Sequence, residues 1–180
     1  MQIERVTDPG VLEAIYRLRV TAWRARVPAF PDIGRWSDEY DADALHWAAF
    51  DRGAPVAAAR LTVHDTLEDA PDSAIYKKAM PEGLPLPVGV FGRLCVAPGY
   101  GGLGLARMLD DVRIDFARRM GCECVVGITT SGAPRLHAMS ETGFDVIAGA
   151  VTYESGPLAT IKGTRRSVML RRLVAEGCLS

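Results

Sequence analysis

The sequence predicts a mixed α/β domain built on one largely antiparallel sheet. Residues 46–51 and 55–63 alternate as strands do, and the short turn Arg52-Gly53 joins them as a hairpin. Further along, an apolar strand at 90–96 runs into a glycine-rich turn that opens an amphipathic helix, and a second apolar strand follows at 122–129. A hairpin followed by a strand–helix–strand unit places antiparallel and parallel pairing in one sheet.

Length and composition favour a single domain that spans residues 1–180. A chain of 180 residues can bury about 70% of the surface that it exposes when unfolded. With 21 basic and 22 acidic residues the net charge is −1, so the sequence offers no basic field for nucleic acid. It also lacks an apolar run of bilayer length, a secretory start and cysteines at metal-ligand spacing. We therefore expect a cytoplasmic protein with no membrane span, no metal and no nucleic-acid partner.

The first third of the chain predicts a strand, a helix and a loop. Residues 2–6 suit a short strand, and Asp8-Pro9 suits a helix start with proline in the first turn. Apolar residues at helical spacing continue that helix to about residue 26; they are Val11, Leu12, Ile15, Leu18 and Ala22. Residues 27–34 carry two prolines and a glycine and predict a loop, and residues 37–44 predict a second short helix.

The remaining segments predict an insertion and two closing strands. Residues 66–87 are rich in acid and proline, which predicts an exposed insertion with a helical turn at 73–80. After the strand at 122–129 comes a short helix that ends in Glu141-Thr142-Gly143-Phe144. Residues 145–153 and 167–174 then predict the last two strands.

The helix that follows the glycine turn begins without a side-chain cap. Gly99, Gly101, Gly102 and Gly104 leave its first amides bare and let a ligand approach the backbone. Bare amides and the positive end of the helix dipole bind phosphate well. Its apolar stripe consists of Leu105, Met108, Leu109, Val112, Phe116 and Met120. The charged residues off that stripe are expected to face solvent; they are Arg107, Asp110, Arg113, Asp115 and Arg119.

Three kinds of phosphate site compete for this turn. A Walker loop is excluded, because Leu105-Ala106 supplies neither its lysine nor its hydroxyl. Gly99, Gly101 and Gly104 do satisfy the dinucleotide fingerprint G-x-G-x-x-G, with Glu123 near the spacing of the ribose-binding acid. Glu123, however, begins its strand instead of ending it, so the dinucleotide alternative fits less of the chain.

The run from Arg93 to Ala106 resembles the acyl-CoA-binding motif of the GNAT acetyltransferase superfamily. That motif is an apolar strand, a Val-x-Pro, then Gln/Arg-x-x-Gly-x-Gly/Ala at the start of a long helix, and Gly102 and Gly104 match its two small positions. Gly99 and Gly101 replace its basic residues. The resemblance implies a mostly antiparallel twisted sheet of about seven strands, flanked by about four helices, with strands splayed at the acyl-CoA site.

The front half also resembles the branch of acyl-homoserine-lactone and N-acyl amino acid synthases. The residues that carry this likeness are the first helix around Arg19, the acidic stretch 38–46 and the strand end Ala59-Arg60-Leu61. In that branch such segments shape the acceptor site, and the donor is often an acyl carrier protein. A carrier protein and a second copy of the chain are therefore alternative partners beside the small-molecule acceptor.

The resemblance implies that acetyl-CoA, as co-substrate, lies along the strand end and the glycine turn. A backbone N–H near Leu94, Cys95 or Val96 is the expected oxyanion donor, and Gly89 and Gly92 suggest a bulge there. The residues expected to contact coenzyme A are Leu94, Cys95, Val96, Gly99, Gly101, Gly102, Leu103, Gly104, Leu105 and Ala106.

The sequence indicates the general acid and the general base less clearly than it indicates the donor site. The family's usual tyrosine acid falls at Met139, so His137, Ser140 and Tyr153 are the substitute candidates. Glu123, Glu39 and Asp41 are candidate bases, each with a solvated surface charge as the alternative. Arg93 occupies the place of the usual carboxylate; it either clamps a substrate carboxylate or ties its strand to a nearby acid. Trp36 and Glu39 are expected to contact the acceptor.

Taken together, the sequence predicts an N-acetyltransferase that moves an acetyl group from acetyl-CoA to a small amine or amino acid by direct attack. Two alternatives remain open. One is a long-chain N-acyltransferase fed by acyl-CoA or a carrier protein. The other is a non-catalytic acyl-CoA-binding module.

Overall fold

A computed structural model describes residues 1–130, 133–153, 156–161 and 166–173. The strands are β1 (Ile3–Val6), β2 (Leu45–Asp51), β3 (Ala54–His64), β4 (Val88–Val96), β5 (Cys124–Thr130), β6 (Asp145–Gly149) and β7 (Arg166–Arg172). The helices are α1 (Pro9–Arg26), α2 (Ser73–Ala79), α3 (Leu105–Arg119) and α4 (Ala133–Ser140).

All seven strands form one open sheet in the order β1-β2-β3-β4-β5-β7-β6. Neighbouring strands are antiparallel except for β4 and β5, which are parallel and are joined through α3. The mixed α/β sheet with four helices that the sequence predicts is thereby confirmed.

Alternation along the strands fills two faces of the sheet. Ala49, Ala57 and Ala59 point to the face that α3 covers, where they join Leu109 in the largest apolar cluster. Ala48, Ala58 and Cys95 point to the opposite face and pack against α1. The small alanine side chains let both helices approach the sheet closely.

The structure corrects two of the predicted segments. Residues 37–44 form only a short 3-10 turn, Glu39–Asp41, because the carboxylates of Asp38 and Asp41 accept bonds from backbone amides within that turn. The segment 66–87 is not simply exposed, since Tyr76 of α2 is fully buried beside Leu67, Ala70 and Leu84. Its buried apolar residues fasten it to the sheet.

Two further boundaries differ from the sequence prediction. Strand β6 ends at Gly149 instead of continuing to residue 153, and Ala150 beyond it has a positive φ of 56°. Strand β7 is confirmed at Arg166–Arg172; the predicted end at residue 174 lies outside the described residues, as does Cys178.

The surface of α3 is the clearest error of the sequence analysis. Asp110 and Arg113, expected in solvent, are buried, whereas Met108 and Met120 of the predicted apolar stripe are exposed. The guanidinium of Arg113 donates to the Asp110 carboxylate at 2.6 Å and to the backbone oxygen of Arg60 at 3.0 Å. Because its donors are satisfied inside the fold, the charged face of α3 can turn toward the sheet.

Candidate active site

The sheet opens between β4 and β5. Their parallel pairing runs from Val88–Cys124 to Phe91–Gly127 and goes no further, although both strands continue. On its other side β4 carries one residue more than β3 between the pairs Gly92–Arg60 and Cys95–Ala58. This is a bulge, and Arg93 within it has a φ of 54°. The bulge turns the end of β4 away from β5, so that a cleft forms between them.

One backbone amide of β4 faces this cleft. The N–H of Ala97 donates to the oxygen of Val56 at 2.8 Å, toward β3. Because successive amides along a strand point to opposite edges, the N–H of Val96 points away from β3, to the side where β5 has diverged. A bulge is therefore present in β4, at Arg93 instead of at the glycines, and the Val96 N–H is a backbone donor directed to the cleft.

A largely apolar cavity of about 470 Å³ occupies the cleft. Leu94, Cys95, Val96 and Thr130 line its strand end, with Ala106 from α3. It continues between the sheet and α1 as far as a second group of residues, namely Ala22, Trp23, Val27, Trp36 and Leu158. A ligand can thus enter beside α3 and extend toward α1. We call this space the acyl cavity.

A second and more polar cavity of about 460 Å³ adjoins the first, and we call it the acceptor cavity. Ser37, Asp38, Glu39, Asp72 and Ser73 line it. The residues that line both cavities mark the junction where they meet; they are Trp36, Pro71, Asp72, Arg93, Tyr153 and Leu158. Three carboxylates and one arginine among its described lining residues give the acceptor cavity an acidic character.

Buried ion pairs hold the wall beneath the junction. Arg19 donates to both carboxylate oxygens of Asp41, at 2.8 and 2.9 Å, and to the backbone oxygen of Trp36 at 3.1 Å. Arg60, only 2% exposed, contacts Asp41 at 3.1 Å and also bonds Asp38. Arg93 completes the set by donating to Asp38 from Nε at 3.1 Å and from Nη2.

These arginines keep both carboxylates ionised. Burial alone would favour the neutral acids, but Arg19 and Arg60 hold the pKa of Asp41 well below its usual range. Arg93 and Arg60 likewise lower the pKa of Asp38 against the effect of burial. Asp38 and Asp41 are therefore structural anions, and Asp41, a candidate base from the sequence, is fully committed to its arginines.

The glycine turn has the predicted form. Gly99, Gly102 and Gly104 all have positive φ, at 86°, 78° and 74°, and Gly104 begins α3 without a side-chain cap. A Cβ atom at any of these positions, or at Gly101, would meet open space within the described structure. The turn is thus an exposed backbone surface at the positive end of α3, as a diphosphate site requires.

The residues predicted to contact coenzyme A divide into three groups. Leu94, Cys95, Val96 and Ala106 line the acyl cavity. Gly99, Gly101, Gly102, Leu103 and Gly104 form the exposed turn. Leu105 is buried in the core, so only its backbone is free to meet a ligand. The structure therefore places this predicted set along one continuous path.

The predicted catalytic residues are scattered, with one exception. Tyr153 lies at the junction of the two cavities, and burial raises the pKa of its hydroxyl well above the usual value. His137 is exposed on α4, 3.3 Å from Glu141, and Ser140 is exposed at the end of the same helix. Glu123 is exposed at the start of β5, about 16 Å of strand from the cleft at Ile128. His137, Ser140 and Glu123 are not among the described lining residues of either cavity.

The helical phase of α4 explains why His137 and Ser140 miss the cleft. It is Met139 that α4 turns inward, fully buried and in the lining of the acyl cavity. His137 and Ser140 project from other faces of that helix. The position of the family's usual tyrosine, Met139, thus faces the cleft, whereas the two substitutes beside it do not line the cavity.

The predicted substrate residues do lie at the cavities. Trp36 lines both, with the Arg93 guanidinium 4.3 Å above its ring, and Glu39 lines the acceptor cavity. Of its two predicted roles, Arg93 has that of tying its strand to a nearby acid. Its guanidinium donates hydrogen bonds to Asp38 and so links β4 to that residue.

Sequence reasoning missed Asp72, Asp110 and Arg135. Asp110 of α3 holds Arg113 and also accepts two bonds from Arg135 of α4, at 2.6 and 3.0 Å. This network joins both helices beside the acyl cavity, which Arg113 and Arg135 line. The three-residue spacing of Asp110 and Arg113 was a usable signal for an ion pair, whereas nothing in the sequence marks its burial.

Two kinds of feature are absent from the described part of the chain. No group of three or more His, Cys, Asp or Glu residues there could hold a metal ion. Within the same ranges, no helix has both the length and the apolar character needed to cross a bilayer.

The diverging strands β4 and β5 and the uncapped helix α3 all lie within residues 12–144. Residues 12–144 match the Acetyltransferase (GNAT) family, and the chain belongs to that family. No curated protein is similar enough to this chain to count as a relative.

Solved structures share the fold at low sequence identity. An N-acyl amino acid synthase from uncultured soil microbes superposes with a TM-score of 0.70 at 14% identity, over 95% of this chain and 90% of that chain. A protein assigned as an N-acetyltransferase from Lactobacillus plantarum superposes with a TM-score of 0.66 at 19% identity, over 96% of this chain and 98% of that chain. A chain of the NatC complex bound to Gag peptide and CoA superposes with a TM-score of 0.59 at 15% identity, over 96% of this chain and 99% of that chain. The chain therefore shares its fold with proteins named as an N-acetyltransferase and as an N-acyl amino acid synthase.

Proposed function

We propose that this protein is an N-acyltransferase that moves an acyl group from a coenzyme A thioester to the amine of a small molecule or amino acid. The observation that carries the proposal is the meeting of two cavities, one apolar and one acidic, at a single junction. An acyl chain suits the first and a cationic amine suits the second. Both substrates can then be present at once, and holding them together supplies much of the rate.

The glycine turn and the end of β4 are the proposed seat of the donor. Bare amides at the start of α3 would bind the diphosphate, and the pantetheine arm would follow the open edge of β4. The Val96 N–H, directed into the cleft, would bind the thioester oxygen as negative charge develops on it. The NatC structure with CoA supports coenzyme A as the donor for this fold.

The depth of the acyl cavity favours a chain longer than acetyl. An acetyl group would end near the strand tips, but the cavity continues past them to Trp23 and Val27 on α1. Apolar walls contribute about 0.8 kcal/mol for each methylene that they take out of water. We therefore favour the long-chain alternative of the sequence analysis over acetyl transfer, with the N-acyl amino acid synthase as the matching precedent in fold.

Direct attack by the amine fits the chemistry of the cleft better than an acyl-enzyme. Cys95 is a thiol in the lining of the acyl cavity, and burial raises its pKa to about 11. Such a thiol stays protonated near neutral pH and is a poor nucleophile. Tyr153 is too weak an acid to give up its proton, but its hydroxyl can donate a hydrogen bond to the departing thiolate.

Thiol release with a series of donors tests this proposal. Acetyl-, hexanoyl- and decanoyl-CoA are each offered with a panel of amino acids and simple amines, and free coenzyme A is measured. We expect turnover to rise with chain length, and Val27→Phe, which shortens the acyl cavity, to lower decanoyl transfer at least 10-fold more than acetyl transfer. Equal use of all three donors would contradict the long-chain assignment. Binding of the donors without thiol release from any pair would instead favour the non-catalytic module.

A further inference from the structure

Asp72 occupies the junction between the acyl cavity and the acceptor cavity. It lines both, together with Trp36, Arg93 and Tyr153, and its side chain is open to the cavity space. An amine in the acceptor cavity must pass this junction to reach a thioester in the acyl cavity. A carboxylate here lies beside the path of the attacking nitrogen.

The backbone of Asp72 is strained and firmly held. Its φ of 59° and ψ of 26° lie in the left-handed region, which is unfavourable for a residue other than glycine. Its carbonyl accepts the amides of Ile75 at 2.9 Å and Tyr76 at 3.3 Å, and the side chain of Tyr76 is buried in the core. The packing of α2 therefore imposes this conformation and aims the carboxylate at the junction.

The carboxylate of Asp72 is also uncommitted. Within the described structure it has no hydrogen-bond or ion-pair partner, whereas Asp38 and Asp41 are each held by two arginines. Glu39, the other free acid in the acceptor cavity, does not line the acyl cavity. Asp72 is thus the one acid among the described lining residues that both reaches the junction and is available to accept a proton.

Desolvation leaves Asp72 a stronger base than an ordinary aspartate. It raises the pKa of the carboxyl group although the nearby Arg93 and Arg60 lower it, and the Asp38 carboxylate adds a smaller increase. The other titratable groups that face it are the hydroxyls of Tyr40, Tyr76 and Tyr153, which are neutral near pH 7 at their ordinary pKa and have it raised further by burial. A raised pKa brings the carboxylate closer to the range of a useful general base.

We propose that Asp72 is the general base of the acyl transfer, an inference that rests on the proposed function. The Asp72 carboxylate takes one proton from the bound ammonium group, which frees the lone pair of the nitrogen. The nitrogen then forms a bond to the thioester carbon and releases its second proton to solvent. The carbon–sulfur bond breaks, and the thiolate leaves with the electron pair and takes a proton from solvent. The reaction consumes an amine and a thioester and yields an amide and a thiol, with no other reactant.

Two nucleophiles distinguish this role from a structural one. Glycine is protonated at neutral pH and needs a base, whereas hydroxylamine is already unprotonated. With decanoyl-CoA as donor, Asp72→Asn should lower kcat/KM for glycine at least about 100-fold and leave hydroxylamine turnover within a few fold. The fall in glycine turnover at acid pH, which reports the base, should disappear in the variant.

The stability of the variants provides the second measurement. Asn and Gly tolerate a left-handed backbone, so Asp72→Asn and Asp72→Gly should fold, and the glycine variant should unfold at the wild-type temperature or above it. Glu82→Gln, exposed in the same segment and outside the lining of both cavities, is the matched control and should retain full turnover. Equal loss of glycine and hydroxylamine turnover would overturn the role of Asp72. A wild-type protein that transfers decanoyl to neither nucleophile would contradict the proposed function itself, and the inference with it.

Discussion

Arg60 connects more of the site than any predicted catalytic residue does. Its guanidinium bonds Asp38 and Asp41, and its backbone oxygen accepts a bond from Arg113 on the opposite face of the sheet. This one residue of β3 therefore supports both the acceptor cavity and the packing of α3 against the sheet. Buried pairs of this kind add little net stability when complete, but removing one member leaves an uncompensated charge.

The variant Asp41→Asn measures that cost. Arg19 and Arg60 would keep their charges in a site that is nearly closed to water, with Asp41 itself only 4% exposed. We expect a loss of about 3–5 kcal/mol in the free energy of unfolding by urea. Asp32→Asn removes the partner of Arg24 in an exposed pair and should change stability by about 1 kcal/mol or less. Similar effects of both substitutions would contradict the burial argument.

Acid should narrow the difference in stability between wild type and Asp41→Asn. The pKa of Asp41 is lowered in the folded state, so its contribution is fully present above the ordinary carboxylate range. As pH falls through that range and toward the folded pKa, the unfolded chain takes up the proton first and the advantage of wild type declines. The gap between the free energies of unfolding of the two proteins should therefore be smaller at pH 3 than at pH 7, with part of it still present. A stability difference that grows as the pH falls would show that the pKa of Asp41 is raised, not lowered, in the folded state.

At the scale of elements, the bulge of β4 and the open start of α3 form the proposed donor site. Gly89 belongs to the packing and not to the bulge, because a Cβ there would lie 2.9 Å from a Val125 methyl. The irregularity lies instead at Arg93, where β4 gains its extra residue. Sequence reasoning found the strand and its distortion but assigned the distortion to glycines, since a positive φ at an arginine leaves no compositional trace.

A pair of glycine variants isolates the role of the turn before α3. Gly102 and Gly53 both have positive φ, at 78° and 81°, and an added Cβ at either would meet open space within the described structure. Gly102→Val and Gly53→Val should therefore carry the same backbone strain, about 1 kcal/mol. Only Gly102→Val should weaken coenzyme A binding, by at least 10-fold in calorimetry, because its side chain would stand where the diphosphate approaches. Equal affinities of the two variants would exclude this turn as the donor site.

At the scale of the whole molecule, the order of the elements could be read from periodicity and turns, but their buried polar faces could not. The α3 stripe shows the limit: apolar spacing placed Met108 and Met120 inside, while Arg113 and Asp110 took the buried positions because partners on β3 and α4 satisfy them. Asp72 was missed for the same reason, since only the folded chain brings it beside Tyr153. Local motifs predicted the donor turn well; the acceptor side depends on contacts far apart in sequence.

Ligand-dependent melting compares the two phosphate ligands that fit a glycine-rich turn. Coenzyme A at 100 times its dissociation constant should stabilise the fold by about 2.7 kcal/mol, or roughly 5–10 °C in Tm for a chain of this size. NAD⁺, the ligand of the dinucleotide alternative, should leave Tm unchanged at the same concentration. A shift with NAD⁺ and none with coenzyme A would overturn the donor assignment.

The loop that borders the acceptor cavity is fastened before any substrate arrives. The N–H of Trp36 donates to the oxygen of Tyr16 at 3.1 Å, its own oxygen accepts from Arg19, and Asp41 is clamped by the same guanidinium. A loop restrained in this way has little conformational entropy left to lose when a small molecule docks against it. Recognition of the amine can therefore be rigid and shape-selective, and even a compound with few contacts can be held in a fixed orientation.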